Sequence, residues 1–334
     1  MSRQQLTVAD LGELELLRRL RPFCAPHGLG DDAAVLPPRS QSQVITTDVL
    51  VNGVHFSDRT TPPDAVGWRA IAANLSDLAA MGARPVGVTV GLALPSDTPL
   101  AWIEGVYGGM ADCLQAYGGE IIGGDVARSS QKVLSITAVG EVSPQRVIRR
   151  DRAQAGQVIL ATGWHGLSHA GLELLLQPER QQDLPIVACD TFIQAHQRPV
   201  PRFDVIHQLA TWSDDQLSAI AGMDSSDGLA NAVLWLCQAS GLGARLQRSR
   251  LPIAPALTRW MGEQTALDWC LYGGEDFELV LCLSTDSAQQ LLVTLGAGAS
   301  IIGTIETDSQ VLLIDDVGQE PDLALTWDGC FQHF

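Results

Sequence analysis

An acidic residue beside glycine, serine, threonine or another acid, set against a short apolar run, recurs six times along the 334 residues. The segments are 28–36 (GLGDDAAVL), 46–48 (TTD), 74–85 (NLSDLAAMGARP), 123–125 (GGD), 224–228 (DSSDG) and 273–276 (GGED). Apolar runs that end in an acid and give way to a helix-spaced stretch describe strands feeding helices, so the chain reads as α/β. One such acid alone reads as a helix cap or turn residue. Six together read as a site. Two carboxylates about 4 Å apart repel by roughly 4 kcal/mol near a protein surface, so gathering several requires cations. Hard oxygen donors of this kind suit magnesium and the phosphates it carries.

Where the positive charge comes from is the next question. The formal net charge is −17, which opposes binding to nucleic acid or an anionic membrane. Lys132 is the only lysine. The P-loop and the protein-kinase signature each need a lysine of their own, so both of those routes to ATP are closed. Lys132, in QKVLSITAVGEV, reads as the solvated start of a strand. Phosphates bound here must therefore be neutralised by metal ions and arginines.

The length is comfortable for two domains, with 46% apolar residues and no run long enough to span a bilayer. Seven dispersed cysteines without a C-x-x-C pair point to a reducing compartment, and with the polar N-terminus they give a cytoplasmic reading. The spacing predicts helices over 7–20 (capped by Thr7), 64–81 and 100–117, and strands over 43–48, 85–94, 120–124 and 133–142. Thr46, Thr47 and Asp48, and likewise Asp125, are expected at strand ends. Composition changes after Arg150, which divides the chain into 1–150 and 151–334. The second half is expected to hold helices at 165–177, 186–197, 202–212 and 229–239, and strands at 157–161, 219–223, 277–283, 300–305 and 311–315. Asp227 and Gly228 open the helix at 229, where free N–H groups and the dipole favour an anion.

At these motifs the chain resembles the thiamine-monophosphate kinase family, in the superfamily of aminoimidazole ribonucleotide synthetase and selenophosphate synthetase. Two further segments carry the resemblance: 48–56 (DVLVNGVHF) against D-T-L-V-x-G-x-H-F, and 196–202 (HQRPVPR) against H-x-R-P-x-P-R. It runs from about Gly28 to the C-terminus. The fold it implies is α/β plus α+β: an N-terminal α/β domain for ATP, magnesium and dimerisation, with strands forming a barrel across a homodimer, and a C-terminal α+β domain completing the cleft. The activity it implies is transfer of the ATP γ-phosphoryl group to thiamine monophosphate, giving thiamine diphosphate and ADP, with no general base.

Residue by residue, the resemblance implies magnesium ligands at Asp32, Thr46, Thr47, Asp48, Asp77, Asp125, Asp224 and Asp227. It implies ATP contacts at Gly124, Asp125, Arg150 and Ser226, and acceptor contacts at His55, Glu275 and Phe331. Asp31 reads as a cap or outer group, and His27, His165, His169, His207 and His333 as structural. The chain departs from the family in two places. Relatives end in G-[WY]-D-H-F where this sequence has Gly329-Cys330-Phe331-Gln332-His333-Phe334, and Val126-Ala127 replaces two threonines after Asp125. Two other readings stay open. One is a superfamily enzyme with another acceptor, though no lysine accompanies Cys24 as a selenophosphate synthetase would require. The other is a non-enzymatic metal-binding or nucleotide-sensing protein.

Overall fold

The structure, a computed structural model, describes residues 6–25, 33, 36, 40–315, 318 and 320–331. Asp31, Asp32, His27 and His333 lie outside the described residues. The chain divides into two compact units, one of residues up to Leu78 with Ala83–Val142, the other of Ala79–Gly82 with the chain from Ser143 onward.

The first unit opens with α1 (Val8–Leu11) and α2 (Glu13–Leu20), not the single helix expected from the spacing. Gly12 separates them with φ of 71°. At the expected cap, the Thr7 N–H and hydroxyl both donate to the Asp10 carboxylate, at 2.9 and 2.7 Å. Then come β1 (Ser42–Val51), α3 (Pro63–Ala80), β2 (Arg84–Leu94), α4 (Leu100–Tyr117), β3 (Ile121–Arg128) and β4 (Val133–Val142). The sheet order is β1-β4-β2-β3, which leaves β1 and β3 at its two edges. Alternate residues are buried: Val88, Val90 and Leu92 on β2 and Leu134, Ile136 and Ala138 on β4 form the inner face. The outer face of β1 carries Ile45 at 64% and Val49 at 47% exposure.

Two strands are longer than the sequence suggests, and this moves the acids. Asp48 lies within β1 and Asp125 within β3, so neither is a strand-end residue. Lys132 corrects another expectation. It does precede β4, but its Nζ donates to both Asp58 oxygens at 2.8 and 2.9 Å and lies 4.6 Å from the Trp102 ring centroid, with only 13% of the side chain exposed.

The second unit runs β5 (Val158–Ala161), α5 (Leu167–Leu176), α6 (Ile186–Gln197), α7 (Phe203–Leu209), α8 (Asp214–Ser218), β6 (Ala221–Asp224), α9 (Leu229–Ser240) and β7 (Gly243–Gln247). It continues with α10 (Pro255–Met261), α11 (Glu263–Tyr272), β8 (Leu279–Leu283), α12 (Thr285–Thr294), β9 (Ser300–Glu306), β10 (Val311–Ile314) and β11 (Leu323–Ala324). Its seven-stranded sheet has the order β11-β10-β7-β9-β5-β8-β6. Val233 and Leu236 of α9 pack with Ala244, Leu246, Ile302, Ile305 and Leu313 in one core, while Leu160, Leu281 and Leu283 pack with Val205, Leu209, Trp212 and Leu291 in another. Here the sequence reading missed β7, β11, α8 and α10 to α12. The strand expected at 277–283 is β8 (Leu279–Leu283), buried at all five positions, as its unbroken apolar run suits.

Candidate functional site

In the first unit, β1 and α3 bring Thr46 to Asp77 and the Asp48 backbone to Asn74. The Thr46 hydroxyl donates to Asp77 Oδ2, and Asn74 Oδ1 accepts from the Asp48 backbone N–H at 3.3 Å. Asn74 is fully buried, and its Nδ2 is held by the Ala70 carbonyl at 3.0 Å, which fixes its oxygen toward the strand. Thr46 and Asp48 are two residues apart in β1 and share its inner face. Thr47 takes the outer face, where it meets Thr137 at 2.8 Å between hydroxyl oxygens.

Asp125 does not join this group. Register places Asp48, Ile136, Val90 and Gly124 in one cross-strand row, and Val49, Ser135, Gly91 and Asp125 in the next. Asp48 and Asp125 are thus three strand spacings apart, about 14 Å along the sheet, and project from opposite faces. Gly124 must be glycine for a local reason. A Cβ there would lie 2.2 Å from the Val90 carbonyl oxygen, so the backbone approaches its neighbour bare.

His55 follows β1 in a turn. Its Nδ1 accepts the Val51 backbone N–H at 3.1 Å. A ring nitrogen that accepts carries no proton, so in the neutral ring the proton is on Nε2.

In the second unit, Asp224 ends β6 as expected and is 5% exposed. The two serines after it diverge. Ser225 is buried: its N–H donates to the Glu278 carbonyl at 2.8 Å, and its hydroxyl lies 2.9 Å from His165 Nε2. Burial pushes His165 down to about 4, so this histidine is neutral and structural. Ser226 and exposed Asp227 are left at the surface of the turn. Gly228 then takes φ of 100°, and a Cβ there would meet the Leu271 carbonyl oxygen at 2.7 Å, so only glycine passes between the turn and α11.

The GGED segment packs against that turn. Glu275 N–H donates to the Ser226 carbonyl at 2.6 Å. Glu275 and Phe277 have φ of 58° and 52°, and they are the only non-glycine residues with positive φ among those described. Between them, Asp276 accepts from the N–H groups of Gly166 at 2.7 Å and Ser168 at 2.9 Å, at the start of α5. Some of its side chain remains accessible, yet enough protein surrounds it that burial pushes its carboxyl up to about 7 against those bonds. Below it, Glu278 receives Arg202 and the Thr162 hydroxyl, and Arg202 also pairs with Asp204 at 2.8 Å. Backbone strain of this kind costs on the order of 1–3 kcal/mol and persists where its surroundings over-determine it.

Arg150 is exposed, with its guanidinium carbon 6.0 Å from the Trp235 ring centroid, while neighbouring Arg149 takes Asp151 at 2.7 Å. Its carbonyl accepts from Ser240 at the end of α9 at 3.1 Å. At the C-terminus Cys330 turns inward at 8% exposure, and Phe331 is 51% exposed. His196, in the HQRPVPR segment, carries no role that the sequence assigns. It is 2% exposed, with Nδ1 4.0 Å from Glu275 Oε2.

Among the described residues no three His, Cys, Asp or Glu side chains converge to hold an ion. Magnesium fits such a donor set all the same. It keeps several waters and commonly takes one or two carboxylates, with substrate phosphates completing its shell. The Thr46, Asp48 and Asp77 oxygens are of that type.

The N-terminal domain model of AIR synthase related proteins matches residues 30–142. Thiamine-monophosphate kinase of Synechococcus elongatus is 50% identical over 330 residues, covering 98% of each chain, and that of Escherichia coli K12 is 38% identical, covering 92% of this chain and 91% of its own. The crystal structure of the Stenotrophomonas maltophilia enzyme aligns with a TM-score of 0.77 at 33% identity, over 89% of this chain and 95% of that one. A ThiL solved with AMPPCP and TMP aligns with a TM-score of 0.72 at 29% identity, over 98% and 100%. Hydrogenase maturation protein HypE, at 21% identity and a TM-score of 0.75, shares the fold. With identity of this extent along nearly its whole length, and with an α/β fold of two sheets common to those structures, the chain belongs to the thiamine-monophosphate kinase family.

Proposed function

We propose that this chain transfers the γ-phosphoryl group of ATP to the phosphate of thiamine monophosphate, forming thiamine diphosphate and ADP. The observation that carries the reading is the locked pair of turns in the second unit. Two non-glycine residues are held left-handed there, and the strain presents Glu275 beside Ser226, a substrate acid beside a phosphate contact. A relative crystallised with an ATP analogue and TMP supports the same pairing of ligands.

The acceptor phosphate is ionised near neutral pH and needs no base to become a nucleophile. The side chains agree with that. His55 offers a donor rather than a lone pair, which suits an anionic oxygen of the acceptor. Lys132 is occupied by Asp58 and Trp102. In the second unit Arg150 and Ser226 contact the nucleotide, Glu275 faces the cationic ring system of the acceptor and Phe331 offers it an aromatic surface; in the first, Gly124 offers bare backbone to a phosphate. Bound magnesium supplies neutralisation of two phosphate groups that would otherwise repel.

The first-unit donors lie apart: Thr46, Asp48 and Asp77 on the inner side of β1 and on α3, Thr47 on the outer face of β1, and Asp125 on the outer face of β3, three strands away. We read them as ligands of more than one magnesium ion, with Asp224 and Asp227 as metal ligands of the second unit; Asp32 belongs to this reading by resemblance. The homodimer belongs to it too. Among the described residues β1 and β3 end the sheet, β3 bridged at Ile121 by Cys24 and Ala25, and these edges with the exposed Ile45 and Val49 support a barrel closed by a second copy. Domain roles follow as 1–150 for ATP, magnesium and assembly, 151–334 for completing the site, in the cytoplasm. ADP release measured with and without thiamine monophosphate tests the activity. Turnover that requires the acceptor and yields thiamine diphosphate is expected; acceptor-independent hydrolysis, or no turnover with magnesium present, would overturn it.

A further inference from the structure

We infer that His196 is a positioning residue for the acceptor: it holds the Glu275 carboxylate in the direction from which that group meets substrate, and touches no substrate itself. The inference rests on the reading of Glu275 as an acceptor contact. Three anchors fix the Glu275 backbone: its own N–H on the Ser226 carbonyl, the Asp276 carboxylate on the N–H groups of Gly166 and Ser168, and the buried Phe277 ring. None of these sets the direction of the Glu275 side chain, which is 35% exposed and has three rotatable bonds.

His196 can set it. The ring sits in the last turn of α6, and the prolines of HQRPVPR end the helix just beyond it. Its Nδ1 lies 3.2 Å from Ser168 Oγ and 4.0 Å from Glu275 Oε2. Ser168 thereby has two duties. Its backbone N–H ties Asp276 at 2.9 Å and its hydroxyl steadies His196, so one residue of α5 references both the strained backbone and the group that orients its side chain. Gly171 lets α5 and α6 come together here: a Cβ there would lie 2.0 Å from the Phe192 carbonyl oxygen and 2.9 Å from the His196 Cβ. His169, also on α5, lies close enough to feel the Glu275 charge, but its ring packs against Trp269 at 4.6 Å between centroids, it bonds the Gly273 backbone, and burial lowers its pKa.

A double-mutant cycle on the full chain tests this, with KM for each substrate, kcat and thermal midpoint as readouts. Glu275→Gln is expected to raise KM for thiamine monophosphate roughly tenfold. His196→Ala should raise the same KM by several-fold, leave KM for ATP and kcat close to the parent, and add nothing in the Glu275→Gln background. His196→Asn, which keeps a donor, should recover part of the loss. Ser168→Ala removes only the hydroxyl and should give a smaller rise in the same constant, which keeps the test standing if His196→Ala does not fold. Full additivity of the two substitutions, or a fall in kcat and in both affinities alongside the thermal midpoint, would make His196 a packing residue and overturn the inference. No change in acceptor KM for Glu275→Gln would instead remove the reading on which it rests.

Discussion

In the first unit the candidate side chains project from regular elements, Thr46, Thr47 and Asp48 from β1, Asp77 from α3 and Asp125 from β3, all with ordinary backbone angles. In the second unit Ser226, Asp227 and Glu275 sit in turns, with φ of 100° at Gly228 and 58° at Glu275. The difference is in what else each residue does. A carboxylate on a strand or helix surface can be removed and the ladder beneath it survives. The second-unit turns are held by buried polar groups that bond one another: Ser225 with His165 and the Glu278 carbonyl, Glu278 with Arg202, Asp276 with the start of α5. There the groups that fold the turn and the groups that present substrate contacts form one network.

The sharpest way to break this comparison is through Asp48 and Asp125. If they serve metal-bound phosphate and nothing structural, Asp48→Asn and Asp125→Asn should each lower kcat/KM by roughly a thousandfold, the several kcal/mol that metal-assisted charge stabilisation supplies. Their unfolding free energies should stay within about 0.5 kcal/mol of the parent. Activity near the parent level in either variant would remove that acid from the site. Lost activity accompanied by lost stability would erase the contrast between the units.

Glu278→Gln probes the opposite expectation. Glu278 receives both Arg202 and the Thr162 hydroxyl, and its side chain is 16% exposed. Burial raises its pKa even though Arg202 and Thr162 pull it down, so the charge depends on those partners. Neutralising it leaves Asp204 as the remaining carboxylate on Arg202, beside the Thr162 carbonyl, and a destabilisation of about 3 kcal/mol is expected, at the low end for breaking a buried pair. Urea denaturation reads it directly. A change under about 1 kcal/mol would put the pair in the class of exposed ion pairs and weaken the view that these turns are held from beneath.

The same contrast explains how much could be read without the structure. Alternating burial along β1 and β4 and the length of α3 and α4 were visible as period and spacing, so the first-unit elements come out nearly as expected. What spacing could not show was that β1 and β3 continue past their acids, which carries Asp48 and Asp125 to opposite faces. In the second unit the motifs were legible and their geometry was not. Nothing local separates Ser225 from Ser226. The difference arises from His165, sixty positions away, and the Glu278 carbonyl. His196 had only its motif as a signal, because its partner Ser168 is on another helix.

Stability against pH gives the finest test of the turn-held unit. Burial holds the Asp276 carboxyl up to about 7, against an ordinary value of 3.8, so between these values the folded chain keeps a proton that the unfolded chain releases. A group whose folded pKa is raised contributes stability below its unfolded pKa, and that contribution is lost as pH rises through the folded value. From pH 5 to 7 the loss is about 2 kcal/mol for a shift of this size. His165 works the other way over part of the window, since burial lowers its pKa and stability gained from its neutral form grows as pH rises. Glu278, raised by burial, adds a further term of the same sign as Asp276. The quantity to measure is therefore the difference between the parent and Asp276→Asn, in which the contributions of His165 and Glu278 cancel to the extent that the substitution leaves their surroundings intact. The amide introduced by Asp276→Asn cannot ionise, so the parent should lose about 2 kcal/mol more than the variant between pH 5 and 7. Asp276→Asn should also be the less stable of the two at pH 5, because an amide nitrogen replaces one of the oxygens that accept from Gly166 and Ser168. Parallel pH profiles for the two proteins would show that Asp276 ionises as freely in the fold as out of it, and the second-unit turn would then be held no differently from the strand acids of the first.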